Sequence, residues 1–114
     1  MNKSLINWHD FSKIDLRVGE ILEVEPFKEA KQPAYKMTIY FGKNIGELKT
    51  SAQITVHYKP KDLIGKQIIA VVNFPPKQIA NIMSQCLVLG VVGNNNDVVL
   101  LNPDRRVENG MKIG

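Results

Sequence analysis

From Ile14 the chain places apolar side chains at positions 14, 16, 18, 22 and 24, with Ile21 out of step, along one stretch that runs to Pro26. Successive side chains of a strand point to opposite faces, so a spacing of two over that length predicts one long β-strand. Gly19 stands inside it. A glycine within a strand marks a bulge or a sharp bend, and a long strand needs one to serve both halves of a small barrel. Asp15 and Arg17 project from the opposite face.

The rest of the chain repeats the theme in shorter pieces. Tyr35, Met37, Ile39 and Phe41 alternate with Lys36, Thr38 and Tyr40, which predicts a second strand with one apolar and one mixed face. Residues 42–46 read as a turn, and a third strand follows from Leu48 to Ile54. In the connector from Val56 to Ile64, Pro60 suits a first helical turn and Gly65 a helix stop, so one or two turns of helix are expected. Ile68 to Phe74 is a nearly continuous apolar run, the mark of a buried strand, and Pro75-Pro76 closes it. Lys77 to Ser84 reads as a loop or a single helical turn. Leu87–Val92 and Val98–Leu101 flank Asn94-Asn95-Asn96-Asp97 and read as a hairpin, and residues 107–113 form a closing segment. Ahead of the first strand, Asn7 is placed to cap a short helix with Asp10 as its capping-box partner and Ile6 and Phe11 as a hydrophobic staple.

About five or six strands, a long glycine-broken first strand and a helix between strands three and four predict an all-β protein. The expected fold is an OB-fold, a five-stranded Greek-key barrel with short N-terminal and connecting helices. At 114 residues the chain has room for one domain, with an N-terminal helical extension over about 1–13.

Charge permits a polyanionic partner without demanding one: 15 Lys and Arg oppose 11 Asp and Glu, and only Arg17, Arg105 and Arg106 are arginines. Lysine suits attraction to phosphate better than planar recognition of bases. The single cysteine, Cys86, opens an apolar strand and reads as a small core residue. It has no disulfide partner within the chain, which fits a reducing, cytoplasmic setting. No apolar run is long enough to insert in a membrane.

Catalytic and metal chemistry find no footing. His9 and His57 are far apart, Cys86 has no partner at ligand spacing, and neither a nucleophile elbow nor a phosphate-binding glycine loop occurs. No enzyme activity, metal or cofactor is expected. What remains is surface. Lys36, Tyr40, Lys49 and Ser51 lie on strand faces two and three, where OB barrels bind extended ligands, and with Lys77 and Ser84 they form a candidate nucleic-acid surface or basic rim. The stretch containing Phe74, Pro75, Pro76, Ile79, Ile82 and Met83 is rich in large apolar groups for a loop. Two readings stand: these groups pack beneath the barrel, or they form an exposed patch that takes a peptide or a dimer mate.

The opening Phe11-Ser-Lys-Ile-Asp15-Leu-Arg17-Val-Gly19-Glu-Ile21 resembles that of the tRNA-binding-domain family. These OB modules occur as stand-alone tRNA-binding proteins and as appendages of some aminoacyl-tRNA synthetases. The resemblance continues through Tyr58 to Lys66 and Val71 to Phe74, and on to Pro103-Asp104 and Gly110. The strings Lys31 to Lys36, Thr50 to Thr55, Asn73 to Ile79 and Met83 to Gly90 are similar to those of the export-related chaperones within that family. The resemblance implies a homodimer with C-terminal barrel segments at its interface. It further implies binding of unfolded proteins or preproteins, with the export ATPase as a partner and tRNA as the alternative ligand. Cys86 and Leu87 stand where the tRNA-binding modules carry Gly and Met, which bears against carrying tRNA binding over.

Overall fold

The computed structural model describes residues 3–95 and 97–114. Met1 and Asn2 of the expected N-terminal extension, and Asn96 of the expected turn, lie outside the described residues.

The long first strand is the spine of the fold. β1 (Leu16–Pro26) pairs antiparallel with β4 (Gln67–Val71) along its first half, from Leu16 opposite Val71 to Glu20 opposite Gln67. Along its second half it pairs with β2 (Tyr35–Tyr40), from Glu20 opposite Tyr40 to Pro26 opposite Tyr35. The register shift that permits this falls between Ile21 and Glu23 rather than at Gly19. Gly19 sits in regular pairing with Ile68 and has a different task. A Cβ there would lie 2.6 Å from the Phe41 ring and 2.7 Å from Ile39, so the missing side chain makes room for Phe41 inside the barrel. Ile21 shares that inner face. Leu16 and Val18 are buried on the other one, which explains why Ile21 falls out of step with them.

β3 (Glu47–Ala52) adds to β2, and β7 (Leu87–Val88) adds to β4, giving the antiparallel order β3-β2-β1-β4-β7. The two outer strands meet at one end. Gln85 N–H donates to the Lys49 carbonyl at 2.7 Å, and Lys49 N–H donates to Gln85 Oε1 at 2.8 Å. The result is a nearly closed five-stranded barrel of the OB type. Its core is built around Ile21, Met37, Ile39, Phe41, Leu63 and Ile68.

The helices are short. α1 (Trp8–Ser12) carries the expected capping box, with Asp10 N–H donating to Asn7 Oδ1 at 2.8 Å and Asn7 N–H donating to Asp10 Oδ2 at 3.2 Å. None of its residues is buried. α2 (Gly42–Ile45) is a single helical turn where a plain turn was expected. α3 (Pro60–Leu63) lies between β3 and β4, as expected, with Pro60 opening it and Gly65 at φ +87° just past its end.

Three further expectations change. Residues 77–84 are neither loop nor helix but a hairpin, β5 (Lys77–Ile79) against β6 (Ile82–Ser84), turning at Ala80 with φ 48°. The turn lacks Gly or Asn-Gly, so no local signal announces it; packing of β6 on β3 supports it instead. The buried strand β4 stops at Val71, leaving Phe74 outside it and 55% exposed. Asn73 ties the chain there to the segment just before β1, accepting from Asp15 N–H at 2.9 Å and donating to the Lys13 carbonyl at 2.7 Å. Finally, the run from Leu87 to Val92 divides at Leu89. β7 joins the barrel, while β8 (Gly90–Val92) forms the expected hairpin with β9 (Val98–Leu100). The closing segment pairs with the edge of β1 that β2 has left: Val18 N–H donates to the Met111 carbonyl at 3.0 Å and Ile113 N–H to the Leu16 carbonyl at 2.9 Å.

Candidate binding clefts on the barrel

The strand-face lysines are brought together, but not as free cations. Lys36 on β2 and Lys49 on β3 line a cleft of about 530 Å³ with Glu23, Glu25 and Ile82. Lys36 Nζ lies 3.3 Å from Glu25 Oε1 and 5.4 Å from the centre of the Phe27 ring, and Lys49 Nζ donates to Thr38 Oγ1 at 3.3 Å. Two carboxylates beside two ammonium groups leave little net attraction for a polyanion. Tyr40 belongs elsewhere. It lines a separate cleft of about 710 Å³ together with Asp15, Arg17, Lys43 and Glu108. In that cleft Arg17 donates to Asp15 Oδ1 at 2.7 Å and to the Gly110 carbonyl at 3.2 Å, so this pair is a local link that also holds the closing segment.

A third cleft, of about 670 Å³, opens where β3 and β7 part. Ser51 and Ile54 form one side, Leu87 and Val88 the other, and Gln78 and Ile79 of the β5–β6 hairpin lean over it. Its only charged lining residues among those described are Glu29 and Lys31, which offset one another. The expected rim residue Ser51 and the expected apolar residue Ile79 therefore share one site.

The remaining candidates scatter. Phe74, Pro75 and Pro76 are exposed on the connection between β4 and β5, Lys77 is exposed beside Ser84, and Met83 is exposed across the hairpin from Gln78. Ile82 turns into the lysine-lined cleft. Ser84 serves the fold: its hydroxyl is 3.1 Å from Thr50 Oγ1, which in turn donates to the Cys86 carbonyl at 2.8 Å. Ile54, Leu87 and Val88 were not singled out by sequence. The apolar run Leu87–Val92 indicates a strand there, but nothing local says that it faces β3 across a cleft.

The titrating groups speak for structure. Burial pushes the Cys86 thiol up to about 12. Hydrogen bonds from Asn109 and then Arg106 hold the Glu20 carboxyl below its ordinary value. His57 Nε2 lies 2.9 Å from Asp97 Oδ2 and holds that carboxyl low, while His9 is exposed on α1. Among the described residues there is no cluster of three or more metal-ligating side chains, and no helix long and apolar enough to cross a membrane.

A five-stranded barrel with an N-terminal helical turn and a cleft at its seam defines the class, and comparison with known proteins agrees. The chain belongs to the family described as "Putative tRNA binding domain", which matches residues 16–112. Within that family its likeness is to the CsaA chaperones. The crystal structure of chaperone CsaA from Bacillus anthracis is 50% identical, covers 97% of this chain and 100% of its own, and superposes with a TM-score of 0.93. The CsaA chaperone protein of Picrophilus torridus is 59% identical over 96% of this chain and 100% of its own, with a TM-score of 0.90. The methionine–tRNA ligase of Pyrococcus horikoshii is 36% identical over 95% of this chain, but the chain spans only 14% of that enzyme's length.

Proposed function

We propose that this chain is a molecular chaperone of the CsaA type. It works in the cytoplasm as a homodimer, holds unfolded or preprotein segments for export, hands them to the export ATPase, and catalyses no reaction. The observation that carries the reading is the nearly neutral cleft at the barrel seam, where Ile79, Leu87 and Val88 offer apolar surface to an uncharged segment. Identity of 50–59% to CsaA chaperones over nearly the whole chain supports it. Dimerisation is supported by apolar groups left uncovered on one chain. Val91, Val92 and Val99 of the β8–β9 hairpin are exposed, as are Leu5, Ile6 and Trp8 before and in α1. Exposed apolar patches of this kind mark association surfaces.

The test is Ile79→Asp, with binding of a fluorescent extended peptide measured by anisotropy on protein shown to be folded by circular dichroism. A charge in the cleft should weaken binding roughly tenfold or more. Unchanged affinity removes the cleft from the account. A second reading, a tRNA-binding module, is favoured by the family description and by the alignment with methionine–tRNA ligases. It requires affinity that falls steeply with salt.

A further inference from the structure

The seam offers more than apolar side chains, because the backbones of both outer strands face into it. Lys49 directs its N–H and its carbonyl at Gln85, away from β2. Backbone groups alternate sides along an antiparallel strand, so Ser51, two residues on and in unbroken register, turns the same way. On the other side, Leu89 N–H donates to the Ile69 carbonyl at 2.9 Å. With Ala70 opposite Val88, that bond commits Leu87 and Leu89 to β4 and turns Cys86 and Val88 toward the seam. The Cys86 carbonyl confirms the phase, since it accepts from Thr50 Oγ1. The barrel is therefore zipped at Lys49–Gln85 and bridged at Thr50–Cys86. It is unzipped beyond, where neither Ser51 nor Val88 has a strand partner on its seam side among the described residues, the Ser51 carbonyl meeting the adjacent Thr50 Oγ1 at 3.3 Å.

The two edges run in the same direction, because four successive antiparallel pairings separate β3 from β7. One strand running against both would keep every pairing antiparallel. We propose that the seam binds an extended polypeptide by strand addition, with its backbone bonded to Ser51 on one edge and Val88 on the other. This rests on the client-binding reading above and specifies its chemistry. Backbone bonding supplies affinity that is indifferent to side-chain identity, as a holder of varied unfolded segments requires. Charge selects the occupant. Glu29 and Lys31 cancel at this cleft, and Lys36 and Lys49 are engaged at another, so an uncharged apolar segment fits and a nucleic-acid backbone does not.

The experiment compares a short extended peptide of alternating Val and Thr with its ester analogue, in which alternate backbone N–H groups are replaced by oxygen and every side chain is kept. Strand addition predicts that the analogue binds the full chain roughly tenfold or more weakly, because each replaced N–H removes a backbone hydrogen bond. Equal affinity of the two overturns strand addition while leaving peptide binding standing. No binding of the parent peptide overturns both. Ser51→Pro gives a second readout: removing the edge N–H should weaken the parent peptide and narrow its advantage over the analogue. Displacement of the peptide by oligouridylate would make the cleft a nucleic-acid site and also overturn the proposal.

Discussion

Thr50 Oγ1 donates to the Cys86 carbonyl at 2.8 Å, and this one bond bridges the two outer strands just before they separate. Thr50 is 1% exposed, so no water replaces the bond if it is lost. Its oxygen also lies within hydrogen-bond reach of the Ser84 hydroxyl, at 3.1 Å. Thr50→Val keeps the shape and removes both bonds while leaving their partners in place. It should cost about 1–3 kcal/mol, the penalty of leaving buried polar groups unmatched, as read by urea denaturation. A loss below the error of that measurement would show that the bridge is dispensable.

Gly19→Ala tests how closely the barrel interior is filled. The new methyl group would meet the Phe41 ring and Ile39 well inside contact distance, and both are essentially fully buried. Overpacking of this kind costs about 1–3 kcal/mol. Phe41→Leu in the same chain should recover part of the loss, because the ring is what the methyl group strikes.

Gly19 also shows what sequence could and could not reveal. Its place inside a long alternating strand was legible, and so was the barrel that such a strand implies. The reason for a glycine was not, because the Phe41 ring that fills the space is contributed from beyond the end of another strand. The same holds at the candidate site. Ser51 and Ile79 were legible as surface candidates from alternation and from apolar content. Their convergence with Leu87 and Val88 depends on where the barrel fails to close, a property of strand order that no local pattern carries. Residues 77–84 misled for a related reason: the hairpin turns on Ala80-Asn81 and leans on β3, so tertiary packing supplies what turn chemistry does not. The α1 cap and the Pro60–Gly65 helix were readable because each is decided within a few residues.

Cys86 should be inert in the folded protein. Burial raises its thiol to about 12 from an ordinary 9.0, so at pH 8 its thiolate fraction is lower by roughly a thousandfold, and only thiolate reacts. Iodoacetamide labelling followed by mass spectrometry should be slow in buffer and fast in denaturant. Rapid labelling of native protein would mean that the seam opens far enough to expose this strand.

Acid should loosen the closing segment. Glu20 Oε1 accepts from Asn109 Nδ2 at 3.0 Å and from Arg106, and these bonds hold the carboxyl below its ordinary 4.5. A depressed folded-state pKa gives stability that is complete above the unfolded value and is lost as pH falls through the folded one. Thermal melts should show Glu20→Gln less stable than the parent at neutral pH and converging on it in acid. A gap that stays constant to low pH would assign the effect to something other than the charge.

On the function proposed above, the seam holds polypeptide and the basic charge is incidental. The most direct test is a paired titration of the protein with labelled tRNA and with a labelled extended peptide, at low and at physiological salt. Peptide affinity should be nearly independent of salt, and tRNA binding should collapse as counterions compete for the phosphates. Tight tRNA binding at physiological salt, with no binding of the peptide, would contradict it.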